Sequence, residues 1–257
     1  MLLVVDSGNT NVVFAVYEGM EKRGQWRASS DPRRTPDEYA VWLTQLMGLA
    51  GYTPEQIDGA IISNVVPAAM RTLKVLCQRY FGVEPLVVEE KSIRFGIPVR
   101  LDRPEQVGAD RIANAIGAFE RFGGPLIVVD FGTATTFDVI GEDGGYDGGV
   151  IAPGINLSMD ALYNAAARLP RIAVEKPQKV IGSDTVSAMQ SGVFWGYIGL
   201  IEGLITRIQG EYGGDLTVVA TGGLAPLFAE TTEVIQESDA DMTLRGLVLL
   251  YQRNAEP

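Results

Sequence analysis

Two short segments of the chain repeat one pattern 124 residues apart, close to half of the 257-residue length. Each is an apolar, mostly β-branched run that ends in Asp, any residue and Gly, namely LVVDSG at residues 3–8 and IVVDFG at residues 127–132. A second run with strand character follows each segment, at residues 11–17 and 135–140. The pattern predicts a duplicated structural unit, each copy of which opens with a β-hairpin.

Helices and strands are predicted to alternate after each hairpin. This order favours an α/β fold in which a mixed sheet is flanked by helices, twice over. Because Gly123-Gly124-Pro125 breaks a helix, we expect an N-terminal domain at residues 1–123 and a C-terminal domain at 124–257, with a ligand-binding cleft between them. The further predicted elements are helices at 38–49, from Pro67, at 104–122, 185–209 and 242–252, and strands at 57–65, 86–88 and 216–220.

Composition narrows the range of functions. The formal net charge of −11 and the lack of a long Lys/Arg cluster argue against binding to nucleic acid or to an anionic membrane surface. The chain has no histidine, which excludes His-containing triads and histidine metal ligands. The single cysteine, Cys77, lies in an amphipathic stretch and is expected to be a buried structural thiol. The apolar N-terminus is too short for a signal peptide or a membrane span, so we expect a cytoplasmic protein.

The first hairpin carries the motif DSGNTN at Asp6–Asn11. Asp6 ends an apolar strand, and Gly8 allows a turn whose backbone N–H groups can bind phosphate oxygens. The Asp6 carboxylate could hold Mg²⁺, which usually takes one or two carboxylates together with phosphate oxygens. For this motif alone, an ordinary hairpin turn built from Asp and Asn remains the alternative.

The second hairpin carries the motif DFGTATT at Asp130–Thr136, in which the hydroxyls of three threonines suit contact with a γ-phosphate. Two such turns in one chain favour an ATP-dependent small-molecule kinase. The DFG signature of protein kinases works with a histidine-containing catalytic loop, which is excluded here. A Walker A loop is excluded as well, because the chain contains no Gly-Lys pair.

A third motif, GADR at Gly108–Arg111, opens a predicted helix. Asp110 could cap this helix, but Arg111 in a first turn is not favoured by the helix dipole and indicates a specific anion partner, such as a carboxylate. Asp110 could then accept the proton of a substrate hydroxyl that attacks the γ-phosphate. Two glycine-rich segments, at residues 148–154 and 221–223, could approach a nucleotide, form plain turns or start a helix.

Together these motifs resemble those of the type III pantothenate kinases over nearly the whole chain. DSGNTN is similar to the family's DxGNTN, GADR is identical, and DFGTATT is similar to D(F/A)GTATT; GGVIAPG and IGSDTVSAMQSG match later blocks. The resemblance implies the actin-like ATPase superfamily, with two ribonuclease-H-like domains and the active site in the interdomain cleft. It also implies transfer of the γ-phosphoryl group of ATP to pantothenate, which gives 4′-phosphopantothenate in the first step of coenzyme A biosynthesis.

The resemblance further implies a cytoplasmic homodimer that uses Mg²⁺ and a monovalent cation, K⁺ or NH₄⁺. Asp6 would belong to the ATP–Mg²⁺ site, Asp130 would hold the monovalent cation, and Thr133 would contact ATP. The other ATP-binding residues would be Ser7, Gly8, Asn9, Thr10, Asn11, Val12 and Val13.

On the pantothenate side, the resemblance implies Asp110 as general base and Arg111 as the partner of the pantothenate carboxylate. Thr185 would hydrogen-bond pantothenate, and it could also cap a helix. Many relatives carry a Tyr where this chain has Leu101, so a substrate contact from that Tyr cannot be carried over. Gly108 and Ala109 would also line the pantothenate site.

The helix predicted at residues 185–209 is apolar around more than one face, which favours a buried dimer interface. Its apolar positions are Val193, Phe194, Trp195, Tyr197, Ile198, Leu200 and Ile201.

Two other functions stay open. One is a regulatory or accessory protein with a relict nucleotide site, against which the intact Asp6, Asp110, Arg111 and Asp130 argue. The other is a kinase of the same superfamily that acts on a sugar or acetate, against which the GADR motif argues.

Overall fold

The computed structural model describes residues 1–89, 92–165 and 170–255. The chain folds into two compact units, the first from Met1–Arg121 together with the C-terminal segment from Asp241, and the second from Phe122–Ala240. The predicted boundary, between residues 123 and 124, lies two residues from the observed one. The prediction assigned the C-terminal helix to the second domain, however, whereas that helix packs in the first unit.

A five-stranded mixed sheet forms the centre of the first unit. Its strand order is β3-β2-β1-β4-β5, in which β1, β2 and β3 are antiparallel and β4 and β5 run parallel to β1. The central strand β1 is almost entirely buried, as expected for a strand that has neighbours on both sides. The strands are β1 (Leu2–Ser7), β2 (Asn11–Glu18), β3 (Glu21–Ser29), β4 (Gly59–Asn64) and β5 (Pro85–Val87).

The α-helices described in the first unit are α1 (Pro36–Leu49), α2 (Met70–Tyr80), α3 (Ala109–Phe122) and α7 (Met242–Ala255). The capping box formed by Thr35 and Glu38 begins α1, since each side chain bonds the other residue's backbone N–H. Side chains of α1 and α2 form one apolar core with alternate residues of β1, including Leu3 and Val5. Cys77 of α2 is fully buried, which confirms the prediction of a buried thiol.

Helices α3 and α7 approach each other closely because each places a glycine at the contact. A Cβ atom on Gly246 would lie 1.8 Å from the carbonyl oxygen of Ala113, and one on Gly117 would lie 2.4 Å from that of Met242. Beside this contact, the Thr243 hydroxyl donates to Asn114 Oδ1 at 2.6 Å. Helix α7 also packs on β1 and β4. These long-range contacts place the C-terminal helix in the first unit.

The second unit repeats the same plan. Its five-stranded mixed sheet has the order β10-β9-β6-β7-β8, with β6, β7 and β8 antiparallel and β9 and β10 parallel to β6. The strands are β6 (Leu126–Phe131), β7 (Ala134–Ile140), β8 (Tyr146–Pro153), β9 (Thr217–Gly222) and β10 (Glu237–Ser238), and the helices are α4 (Ile155–Ala165), α5 (Thr185–Tyr212) and α6 (Ala225–Ala229). Each unit thus opens with a hairpin whose first strand is central in its sheet, which confirms the predicted duplication and fold class.

Two predictions about the second unit are changed by the structure. The glycine-rich segment at residues 148–154, predicted as a turn, a helix start or a nucleotide contact, lies mainly in the edge strand β8, and its last residue directly precedes α4. The seven apolar side chains of α5 on which the predicted dimer interface rested all lie in or against the core of the second unit. They therefore do not by themselves require an interface. Among the described residues, no helix is long and apolar enough to span a membrane.

Candidate active site

Asp6 is the fifth residue of the six-residue strand β1 and is partly buried at its carboxyl end. It lies opposite Val13 of β2 and, on the other side, in register with Ser63 of the parallel strand β4. The Ser63 hydroxyl donates a hydrogen bond to Asp6 Oδ1 at 3.2 Å. The predicted magnesium-binding carboxylate is therefore held on a rigid strand.

The turn after Asp6 is closed by its own backbone. The N–H of Gly8 donates to the carbonyl oxygen of Asn11 at 2.9 Å, and the N–H of Ser30 donates to that of Thr10 at 2.9 Å. Asn9 and Thr10 are exposed at the tip. Their side chains are accessible to a ligand, as the predicted phosphate-binding turn requires.

Not every residue predicted to bind ATP presents its side chain at this turn. Ser7 and Val12 are each 0% exposed. Val12 belongs to the core formed with α1 and α2, and the Ser7 hydroxyl is buried with no hydrogen-bond partner among the described residues. These two residues can contribute to a ligand site only through their backbone.

The GADR motif forms the start of α3, as predicted for the motif, but the helix begins at Ala109 and not at residue 104, because a separate 3-10 turn occupies Pro104–Gln106. Asp110 and Arg111 lie in its first turn, and both are partly buried. Asp110 Oδ1 accepts a hydrogen bond from the backbone N–H of Arg111 at 2.8 Å. A carboxylate in the first turn is stabilised by the exposed N–H groups and the positive end of the helix dipole. This hydrogen bond orients the carboxylate.

Asp130 occupies in the second unit the place that Asp6 occupies in the first. It is the fifth residue of β6, opposite Thr136 of β7 and in register with Thr221 of the parallel strand β9. Gly222, which follows Thr221, has φ of +91°, and a Cβ atom there would lie 2.8 Å from Asp130 Oδ1. Glycine adopts this conformation without strain, and its lack of a side chain permits the close approach to the carboxylate.

The turn between β6 and β7 consists of Gly132 and Thr133, both exposed. Gly154 packs directly on it, since a Cβ atom at residue 154 would lie 2.2 Å from the carbonyl oxygen of Thr133. This contact fixes the turn that presents Thr133. Thr135, by contrast, is buried and hydrogen-bonded to the hydroxyl of Tyr197 in α5, so its side chain serves the core.

Thr185 is the first residue of α5 and is exposed. The predicted alternative role as a helix cap is wrong, because Asp184 is the N-cap and accepts a hydrogen bond from the backbone N–H of Ser187 at 3.0 Å. That bond, together with the one from the Ser187 hydroxyl, lowers the pKa of Asp184. The Thr185 hydroxyl is not needed to cap the helix.

Three residues that shape this chemistry were not predicted as site residues. Ser63 is a hydroxyl residue in an otherwise apolar run of β4, a signal that the sequence does contain. Gly222 and Gly154 lie in segments singled out only as glycine-rich. Their close approaches to Asp130 and to the Thr133 turn depend on strand pairing and cannot be read from local sequence.

Within residues 1–89, 92–165 and 170–255, no group of three or more His, Cys, Asp or Glu side chains could hold a metal ion. The chain therefore offers single carboxylates at the ends of strands. Such a donor set fits Mg²⁺, which usually binds one or two carboxylates and takes its other ligands from phosphate oxygens and water.

The chain is similar to known proteins over its whole length. The family model described as type III pantothenate kinase matches residues 2–207. A type III pantothenate kinase of Paramagnetospirillum magneticum is 60% identical over 257 residues, which cover 100% of this chain and 99% of that protein. Another, from Rhodospirillum rubrum, is 57% identical over 254 residues and 99% of both chains.

Solved structures share the fold at low sequence identity. A protein from Campylobacter jejuni described as a Baf family transcriptional activator superposes with a TM-score of 0.63 at 19% identity, covering 99% of this chain and 100% of that one. A protein from Sinorhizobium meliloti described as a 2-dehydro-3-deoxygalactonokinase gives 0.62 at 15% identity, covering 100% and 97%. At these identities the likeness concerns the fold alone, and it supports the predicted two-domain actin-like architecture.

Proposed function

The chain belongs to the type III pantothenate kinase family, and from this premise we propose how its residues transfer the γ-phosphoryl group of ATP to pantothenate. The product is 4′-phosphopantothenate, and the reaction is the first step of coenzyme A biosynthesis. The observation that carries the function is the match over the full chain at 60% identity, with Asp6, Asp110, Arg111 and Asp130 all present.

Asp110 is the general base of an in-line transfer. Its carboxylate is oriented by the N–H of Arg111 at 2.8 Å and is only partly buried, so it remains accessible to a substrate hydroxyl. It accepts the proton of the primary hydroxyl of pantothenate as the oxygen attacks the γ-phosphorus. Phosphoryl transfer depends mainly on positioning and charge stabilisation, and a well-placed base adds about 10²–10⁴-fold in rate.

Arg111 binds the carboxylate of pantothenate. A guanidinium group matches a carboxylate with two parallel hydrogen bonds, which fixes the orientation of the substrate as well as its charge. Gly108 and Ala109 line the same site with backbone. The exposed Thr185 hydroxyl supplies a further hydrogen bond to pantothenate.

Asp6 and the turn that follows it bind ATP together with Mg²⁺. Backbone N–H groups of the turn and the exposed side chains of Asn9 and Thr10 contact phosphate oxygens. Asp130 would hold the monovalent cation, K⁺ or NH₄⁺, and Thr133 contacts ATP from its exposed turn. When bound, the two cations offset the negative charge of the phosphates.

The homodimer is also a proposal, and it rests on exposed apolar side chains of the second unit. Val180 and Ile181 are 64% and 86% exposed, and Leu157 of α4 is 52% exposed. A second copy of the chain would cover exposed apolar side chains of this kind. Sedimentation velocity should give a dimer at micromolar concentration, and a monomer there would contradict the proposal. The cytoplasmic location stays a prediction of the sequence.

The experiment for the proposed function is a comparison of phosphoryl acceptors. The purified chain is incubated with ATP, Mg²⁺ and K⁺ and with pantothenate, glucose or acetate, and products are identified by mass spectrometry. We expect phosphorylation of pantothenate alone. Phosphorylation of a sugar or acetate at a comparable rate would assign the chain to a different kinase activity.

A further inference from the structure

A fully buried hydroxyl lies beside the carboxylate of Asp6. All six residues of β4, GAIISN, are buried, and Ser63 is 0% exposed. Its hydroxyl donates to Asp6 Oδ1 at 3.2 Å. We propose that Ser63 is a positioning residue for Asp6, one that holds this carboxylate in the orientation that binds the Mg²⁺–nucleotide complex. The inference rests on the proposed role of Asp6.

Strand register explains why the hydroxyl reaches this carboxylate. β1 and β4 are parallel, with Asp6 opposite Ser63 and Val4 opposite Ile61, so these side chains share one face of the sheet. Leu3, Val5, Ala60 and Ile62 form the core on the other face. Burying a hydroxyl without a hydrogen bond is costly, and here the bond is made to the carboxylate of Asp6.

The end of β4 is anchored on both sides, which makes Ser63 a rigid donor. Towards β1, the N–H of Val65 donates to the carbonyl oxygen of Ser7 at 3.0 Å. Towards β5, the N–H of Asn64 donates to Glu89 Oε1 at 2.6 Å. A donor on so fixed a strand restrains the rotation of the acceptor carboxylate, because turning the carboxylate away would break the bond.

The duplication places a second hydroxyl at the equivalent position. In the second unit, Thr221 of β9 lies in register with Asp130 of β6, as Ser63 lies in register with Asp6. Thr221 is 2% exposed. Buried strands in parallel pairing are usually continuous runs of Val, Ile and Leu, so a hydroxyl next to each aspartate is a departure shared by both units. Because both units share this buried hydroxyl, we infer that it serves the aspartate rather than the packing of the core.

The test is Ser63→Ala, with the binding of ADP in the presence of Mg²⁺ measured by titration calorimetry. We expect binding about fivefold weaker, the change that corresponds to one ordinary hydrogen bond. The KM for pantothenate should stay unchanged, and Ser63→Thr, which keeps the hydroxyl, should bind more tightly than Ser63→Ala. The matched control is Thr44→Val, which removes a partly buried hydroxyl that donates within α1 to the carbonyl oxygen of Ala40 at 2.7 Å. It should leave ADP binding unchanged.

Asp6→Ala and the double variant Asp6→Ala/Ser63→Ala separate the possible explanations. If Ser63 acts through Asp6, its removal should weaken binding in the wild-type background and have no further effect once Asp6 is gone. An equal effect in both backgrounds, or an effect no larger than that of Thr44→Val, would show that Ser63 does not act through Asp6. If Asp6→Ala itself binds Mg²⁺–ADP as the wild type does, the proposed role of Asp6 is wrong, whatever Ser63→Ala does.

Discussion

Asp6 and Asp130 occupy equivalent places in the two units. Each is the fifth residue of a six-residue strand that lies at the centre of a five-stranded sheet. Each has an antiparallel hairpin partner on one side and a parallel strand on the other. The hairpins differ by one residue, because Asp6 pairs with Val13 whereas Asp130 pairs with Thr136. The longer turn belongs to the proposed ATP–Mg²⁺ site, and the shorter one presents Thr133.

The first prediction concerns the replacement of the proposed general base. Asp110→Asn keeps the size of the side chain and an oxygen that can accept from the Arg111 N–H, so the fold and ATP binding should be preserved. Loss of the base should lower kcat by about 10²–10⁴-fold. Steady-state kinetics measures kcat, and calorimetry of ATP binding is the control. A variant with full kcat would show that Asp110 is not the general base.

Arg111→Lys keeps the positive charge but loses the planar pair of donors. If Arg111 binds the pantothenate carboxylate with two hydrogen bonds, the KM for pantothenate should rise about tenfold or more, since charge-assisted bonds are the strong ones. The KM for ATP should change little. In pantothenol an alcohol replaces the carboxylate, so it should be a poor substrate for the wild type. The activity with pantothenol should fall little further in the variant. Equal losses for pantothenate and pantothenol would contradict the assignment.

Gly222→Ala tests the close approach of this backbone position to Asp130. The new Cβ atom would lie 2.6 Å from the Phe131 carbonyl oxygen and 2.8 Å from Asp130 Oδ1, on a backbone with φ of +91°. We expect weaker activation by K⁺, seen as a higher K⁺ concentration for half-maximal activity and a higher KM for ATP. Gly223→Ala is the matched control, because a Cβ atom there meets nothing within 4 Å. If neither K⁺ nor NH₄⁺ affects the wild-type enzyme, the cation role of Asp130 is excluded.

The buried thiol gives the stability a specific pH dependence. Burial raises the pKa of Cys77 from 9.0 to about 12. The folded state therefore keeps a proton that the unfolded chain loses, so the contribution of Cys77 to stability is complete below about pH 9 and is lost as the pH rises towards 12. Urea unfolding of Cys77→Ala between pH 7 and pH 10.5, under reducing conditions, should show a destabilisation relative to wild type that shrinks as the pH rises. A constant difference would mean that the thiol is not shielded from solvent.

Much of the fold follows from local pattern. The two apolar runs that end in Asp-x-Gly predict both hairpins, and the helical spacing after Gly108 predicts α3 with Asp110 in its first turn. The edge strand β3 was not predicted, because most of its residues are exposed and only its pairing with β2 defines it. The C-terminal helix was assigned to the wrong half, since its place depends on the contact of Gly246 with Ala113 across the chain.

The candidate site divides in the same way. Residues in contiguous motifs, such as Asp6, Asp110 and Asp130, could be selected from sequence because each motif combines a strand end or helix start with a characteristic polar residue. The direction of a side chain could not be predicted from sequence. Ser7 lies inside the first motif, but its hydroxyl is buried. Ser63 was missed because its partner lies 57 residues away in the chain.

The most direct test of the central claim is ADP release by the purified chain with ATP, Mg²⁺ and K⁺, measured with and without pantothenate. The account predicts ADP release that depends on pantothenate and is matched one for one by phosphopantothenate. ADP release that is the same without pantothenate, or none with it, would contradict the claim that this chain is a pantothenate kinase.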